Sequence, residues 1–252
     1  MTSVLLEQAM KRRAAHKGLK VNFERMRHFN SLLFDDGAGQ QGGQTLYVGV
    51  GHGHDALLAI VDGQTESVIG VDPFIAGHGN DDEDLERLGE IIGDMDFREI
   101  FAVKRMFIEQ YLKEATEKVD RIVCNDVLHH IFETSERLTK SNLFSGAVEL
   151  FKSFHDTVTD DGVLLVADVS RHGFRQYVHG VARPLGFARF HGNYTRKQQW
   201  REWDAAIQAA GWHRQAVHNY IPFAFKNHPG LLDGWLGRAT LCDKYILAYR
   251  KH

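Results

Sequence analysis

Apolar and polar positions along this chain follow two rhythms in turn. Short apolar runs read as buried parallel strands: TLYVGV from Thr45, VIGV before Asp72, VDRIVCN ending at Asn125, and GVLLVADV from Gly162. Glu99 to Lys104 reads as a further strand. Between these runs the spacing changes to that of helices. In DDEDLERLGEII, Leu85, Leu88, Ile91 and Ile92 recur on one face, with Asn80 or Asp81 as cap and acids crowding the positive end. A second helix is expected near Met106 to Thr116. The clearest stripe follows Ser141, where Leu143, Phe144, Ala147, Leu150, Phe151, Phe154 and Val158 share one face. Strands alternating with helices predict right-handed crossovers and a parallel sheet covered on both sides, an α/β three-layer sandwich.

The two ends depart from this rhythm. Residues 2–34 read as helical, with Val4, Leu5, Met10, Val21, Phe23 and Met26 set among basic residues. The polar stretch DDGAGQQGGQ then precedes the first strand, so residues 1–44 form a helical cap segment and 45–252 the main domain. Residues 169–195 are aromatic and basic and too long for a plain connection. Thr195 caps a helix through RKQQWREWDAAIQAAG, stopped at Gly211. Two strands follow, WHRQAVHNYI and LCDKYILAYRK, around an aromatic loop at 222–240. Both long loops read as lids over a rigid sheet.

The break in the first strand is the richest chemical signal. Gly49, Gly51 and Gly53 follow the apolar run at alternate positions, where the absence of a Cβ lets the backbone turn tightly and approach a ligand. Asp72 stands at the tip of the next strand, placed to accept from ribose hydroxyls. Two spacings fit: Gly51, Gly53 and Ala56 match the dinucleotide pattern G-x-G-x-x-A, while Gly49, Gly51 and Gly53 match G-x-G-x-G. The strand runs directly into Gly49, which favours the second. Either way the ligand is a nucleoside.

Composition narrows the class. A hydrophobic content of 43% and a charged content of 25% suit a water-soluble globular chain. A net charge of −3 gives no basic footprint, so nucleic acid is not an expected partner. Cys124 and Cys242 lie far apart in apolar runs and read as reduced core thiols. The apolar run near the start is cut by Glu7, unlike a secretory signal, and no segment has the apolar length of a membrane span. A cytoplasmic location is expected. Fifteen histidines invite a metal, yet His52, His54 and Asp55 lack ligand spacing and would crowd the glycine turn. No metal is expected.

Four segments together resemble the class I S-adenosylmethionine (SAM)-dependent methyltransferases. They are LYVGVGHG, VIGVDP, VDRIVCNDVLHHI and FKSFHDTVTDDGVLLVADV, followed by AAGW and a closing pair of strands. The resemblance covers roughly residues 45–251 and implies a seven-stranded, mostly parallel sheet with an antiparallel C-terminal hairpin strand. It implies that Gly49, Gly51 and Gly53 make room for the methionine portion of SAM. Asp72 would take the ribose, with Pro73 and Phe74 on the adenine and Met106 and Phe107 lining its pocket. Asn125 or Asp126 would face the ammonium and sulfonium, where negative charge is favourable. Tyr47 stands where many members carry an acid, its phenol able to hold a water against the amino-acid end. KRMF follows strand three where an acid is usual.

The resemblance also implies the reaction, methyl transfer with release of S-adenosylhomocysteine (SAH). Positioning and desolvation carry much of such a displacement, and a base is needed only for a protonated acceptor. His130 and His129, just after Asp126 at the mouth of strand four, are the candidates. His172, His179 and His191 lie in the first lid and read as solvent-facing or structural. Phe174, Tyr177, Phe187, Phe190 and Tyr194 suggest an aromatic or apolar small molecule that accepts at oxygen or nitrogen. A non-catalytic SAM-fold binding or regulatory protein fits Tyr47 and KRMF, and an NAD-dependent oxidoreductase fits the other glycine spacing. The oligomeric state is open, a homodimer included.

Overall fold

The computed structural model describes residues 2–16, 22–35, 42–75, 80–170, 197–220 and 244–251. Helices α1 (Thr2–His16) and α2 (Phe23–Leu33) precede strand β1 (Gln44–Val48). There follow α3 (His54–Val61), β2 (Ser67–Val71), α4 (Asp82–Asp94), β3 (Phe101–Lys104), α5 (Ile108–Glu114) and β4 (Val119–Asn125). The second half runs α6 (Leu128–Ile131), α7 (Phe144–Thr157), β5 (Val158–Val169), α8 (Trp200–Ala209), β6 (His213–Tyr220) and β7 (Lys244–Arg250). The strands form one seven-stranded sheet in the order β3-β2-β1-β4-β5-β7-β6. The first five pair in parallel; β7 pairs antiparallel with both β5 and β6.

Alternation along the strands builds two cores, one on each face. Leu46, Ile122, Cys124, Leu164 and Leu247 pack under α5, α7 and α8. Tyr47, Val123, Leu165 and Ile246 face the other way, against α1 to α4. Strands β1, β4, β5 and β7 are thus apolar on both sides, which is why they read as continuous runs. Leu6, Met10, Phe29 and Leu33 carry α1 and α2 into the second core, so the N-terminal helices are part of its cover. The three-layer sandwich is the expected one.

Boundaries moved by a few residues. Strand three starts at Phe101, because Phe101 N–H bonds back to the Phe97 carbonyl at 2.8 Å and Glu99 and Ile100 remain in a turn. The cap of α4 is Asp81, in a reciprocal capping box with Asp84, which frees Asn80 for another role. Gly211 ends the turn after α8 with a left-handed φ of 96°. The proposed cap at Thr195, residues 171–195 of the first lid, the second lid and Cys242 lie outside the described residues.

A charged strut fixes α8 against the segment before α7. Glu202, 1% exposed, accepts from Arg137 Nε at 2.8 Å, from the Thr139 amide at 2.8 Å and from the Thr139 hydroxyl at 2.6 Å. Burial alone would raise this carboxyl, but the Thr139 and Arg137 donors outweigh it and hold it below its ordinary 4.5. A depressed carboxyl stabilises above its unfolded value and loses that contribution as pH falls through its folded one. Glu202→Gln is therefore expected to lower stability by about 2 kcal/mol at neutral pH. In paired thermal melts the gap to the wild type should close on acidification below pH 4.5. A gap constant down to strong acid would reject the strut.

Candidate functional site

A cavity of about 480 Å³ opens at the carboxyl ends of the strands, where parallel α/β sheets bind ligands. Val48, Gly49, Asp72 and Pro73 form its wall at β1 and β2. Met106, Phe107 and Ile108 close it after β3, and Asp126, Val127, His130 and Ile131 close it after β4. Gly49, Asp72, Pro73, Met106, Phe107, Asp126 and His130, singled out in the sequence, therefore meet in one wall. Phe107 and Ile75 present exposed apolar surface beside it. Tyr47, Gly51, Gly53, Phe74, Asn125 and His129 are not among its lining residues, and Phe74, expected on the adenine, packs in the second core instead.

The glycine turn is shaped by what lies against it. Gly49 has φ of 68°, and a Cβ there would lie 2.5 Å from Val127 Cγ2. Gly53 has φ of 69° and caps α3; its Cβ would lie 2.4 Å from Leu88 Cδ1. Both positions need a residue free to turn left and too small to collide. Gly51 donates its backbone N–H to Asp72 Oδ2 at 3.0 Å, tying the turn to the tip of β2.

Asp72 is the centre of this cradle. It is 4% exposed, and Oδ1 accepts from the Phe74 amide at 2.9 Å. Oδ2 also receives the Asn80 side-chain amide at 3.1 Å, from a residue that itself lines the cavity. Phe74 takes the rare φ of 47°, which sends its ring, 1% exposed, into the second core while Pro73 and Ile75 line the cavity. Asp126 is a second non-glycine residue in the left-handed region, with φ of 54°. Such backbone costs about 1–3 kcal/mol and gathers at functional sites. One Asp126 oxygen pairs with the Lys244 ammonium; the other is buried with no donor among the described residues.

His129 and His130 part ways. His129 is buried, and its Nδ1 meets Asp168 Oδ1 at 2.6 Å. That bond fixes the imidazole within the wall behind the cavity. His130 faces the cavity with its ring 4.3 Å from that of His129. Burial, then the neighbouring His129, holds His130 below the ordinary imidazole value. It is therefore neutral, with a lone pair available, at pH 7.

The histidines of the turn do not converge with Asp55. His52 Nδ1 lies 3.2 Å from Asp84, and the His54 ring, pushed down to about 4 by burial and then by His52, stacks 5.5 Å from it. Asp55 turns instead to Asn125. Among the described residues no group of three or more His, Cys, Asp or Glu is arranged to hold a metal ion. Lys244, the bond from Asn80 to Asp72 and the bonding of Asp55 carry no local pattern by which the sequence could show them.

Comparison with known proteins agrees with this geometry. The family model described as a methyltransferase domain matches residues 19–218. A cyclopropane synthase from Mycobacterium tuberculosis shares the fold at TM-score 0.58 and 17% identity, over 88% of this chain and 83% of that one. Geranyl diphosphate C-methyltransferase from Streptomyces coelicolor, solved with SAH, aligns at TM-score 0.56 and 11% identity, over 89% of this chain and 78% of the other. The N-methyltransferase NodS from Bradyrhizobium japonicum aligns at TM-score 0.52 and 11% identity, over 91% and 98% of the two chains. No curated protein sequence matches. A seven-stranded sheet with one strand run backwards, and a glycine turn facing an acid, defines a Rossmann-like methyltransferase. This chain belongs to the methyltransferase-domain family, the class I SAM-dependent enzymes. Among the described residues no helix is long and apolar enough to cross a membrane.

Proposed function

We propose that this enzyme moves a methyl group from SAM to an oxygen or nitrogen of a small apolar or aromatic acceptor. The observation that carries the reading is one cavity whose wall holds Gly49, Asp72 and the imidazole of His130 together. The site fits the donor: turn positions leave no room for a Cβ, apolar surface stands at Met106 and Phe107, and an unpartnered Asp126 oxygen waits beside the turn. SAM supplies an electrophilic methyl group on a sulfonium. Asp72 would hold the ribose hydroxyls on the side where Asn80 now donates, with Met106, Phe107 and Pro73 against the adenine. Asp126 would face the positive end. His130 would take the proton that an O–H or N–H acceptor must lose, and His129, held by Asp168, would keep that ring in place. We place the protein in the cytoplasm because Cys124 is a buried free thiol.

The test begins with calorimetric titration of SAM and SAH, followed by product analysis against hydroxylated and amino aromatic acceptors. His130→Ala should cut turnover by roughly a hundredfold while SAM affinity changes by less than about twofold. Loss of affinity with turnover unaffected would make the residue structural. Failure to bind either ligand would overturn the donor assignment. A second reading, binding without catalysis, is favoured by Tyr47 and by KRMF after β3. It predicts SAH binding with no methylated product from any acceptor.

A further inference from the structure

Behind the glycine turn, on the α3 face of the sheet, lies a group of polar atoms that the cavity wall does not use. Asp55 sits in the first turn of α3, and its Oδ2 accepts from Asn125 Nδ2 at 2.6 Å. Among the described residues that is the one hydrogen bond to its carboxylate. Asn125 Oδ1 faces the Lys244 ammonium at 3.4 Å, and that ammonium also pairs with Asp126 and lies 4.8 Å over the Phe29 ring. Asp55 and Asp126 thus both lie in the field of that one ammonium, while burial raises the Asp55 carboxyl above its ordinary range.

Its unfilled valences point to a ligand. The Tyr47 phenol oxygen and Asp126 Oδ1 are both buried with no partner among the described residues, and Tyr47 is only 4% exposed. Buried polar atoms of this kind are rare unless something binds them. The Tyr47 hydroxyl lies within the fields of Asp55 and Arg121, and of these polar residues Asp126 lines the cavity. Asn30, itself fully buried, donates to the Asp55 carbonyl at 2.8 Å, so α2 fixes the turn that carries the acid. The unclaimed oxygens of Asp55, Tyr47 and Asp126 match in number the three N–H groups of a primary ammonium.

We propose that Asp55 anchors the α-amino group of the methyl donor, with Tyr47 and Asp126 completing the recess around it. This rests on SAM being the donor. Charge-assisted bonds to a part-buried carboxylate are strong, so the anchor contributes affinity for the amino-acid end alone.

Titration of the full chain with SAH and with 5′-methylthioadenosine separates the parts, because the second ligand keeps the adenosine and thioether but lacks the amino acid. Asp55→Asn, which can still accept from Asn125, should weaken SAH by about tenfold or more and 5′-methylthioadenosine by less than about twofold. Tyr47→Phe should also weaken SAH selectively while its melting temperature holds or rises, since an unpartnered buried hydroxyl is removed. An Asp55→Asn protein that binds SAH like the wild type, or loses both ligands equally, overturns the anchor. Wild-type chain that binds both ligands with equal affinity rejects the recess and leaves the donor assignment standing. Wild-type chain that binds neither removes the donor and the anchor together.

Discussion

Asp72→Ala is expected to cost about 2–4 kcal/mol of fold stability through the donors it strands. The same change is expected to weaken SAM by about tenfold or more. Both effects come from one carboxylate. Its oxygens accept from the Gly51 and Phe74 amides and from Asn80, and removal leaves two buried backbone donors unpaired. The Gly51 bond is the tie between the turn after β1 and the tip of β2. Without it the cradle loosens before any ligand arrives. Denaturant melts report the first effect and calorimetry, below the melting range, the second. A folded variant with unchanged SAM affinity would reject the ribose role, and an unchanged melt would reject the tie. Asp72→Asn should fall between the two, since its amide can replace one acceptor oxygen but not both.

The largest purely structural loss is expected at Trp203. It is fully buried in the first core, its ring centroid 5.9 Å from Phe132 and 6.5 Å from Phe151. Trp203→Ala should cost about 3–5 kcal/mol by lost transfer and an unfilled cavity. In a chain of this size that lowers the melting temperature by roughly 10 °C. Phe132 immediately follows α6, the helix that carries His129 and His130, so the cavity should also lose its orientation of His130. Trp203→Phe should recover most of the stability, because the indole N–H has no partner among the described residues. A Trp203→Ala variant within about 1 kcal/mol of the wild type would show that this core closes over the gap.

Much of this architecture is written in short range. The strands β1, β4, β5 and β7 show as apolar runs because they are covered on both faces, and α7 shows as a stripe because one face alone meets the sheet. The glycine turn and Asp72 are equally local, since left-handed backbone and close packing leave few residue choices. What the sequence hides is pairing across the fold. Asp126 and Lys244 are 118 positions apart, Asn125 and Asp55 are 70 apart, and His129 and Asp168 are 39 apart. No periodicity links such residues, because the sheet order and not the chain brings them together. Asn80 is hidden differently. Beside a strong cap at Asp81 it reads as part of the helix start, while its amide reaches back to Asp72.

The reversed strand has a consequence for biosynthesis. β7 lies between β5 and β6 in the sheet, yet the ribosome makes it after both. Until it emerges, β5 and β6 each carry an open edge, the kind of surface that recruits other chains. Asp126 likewise lacks its counter-charge until Lys244, the first residue of β7, is in place. A nascent chain ending before that residue would hold the glycine turn and Asp72 with Asp126 still lacking the Lys244 ammonium and with the edges of β5 and β6 still open.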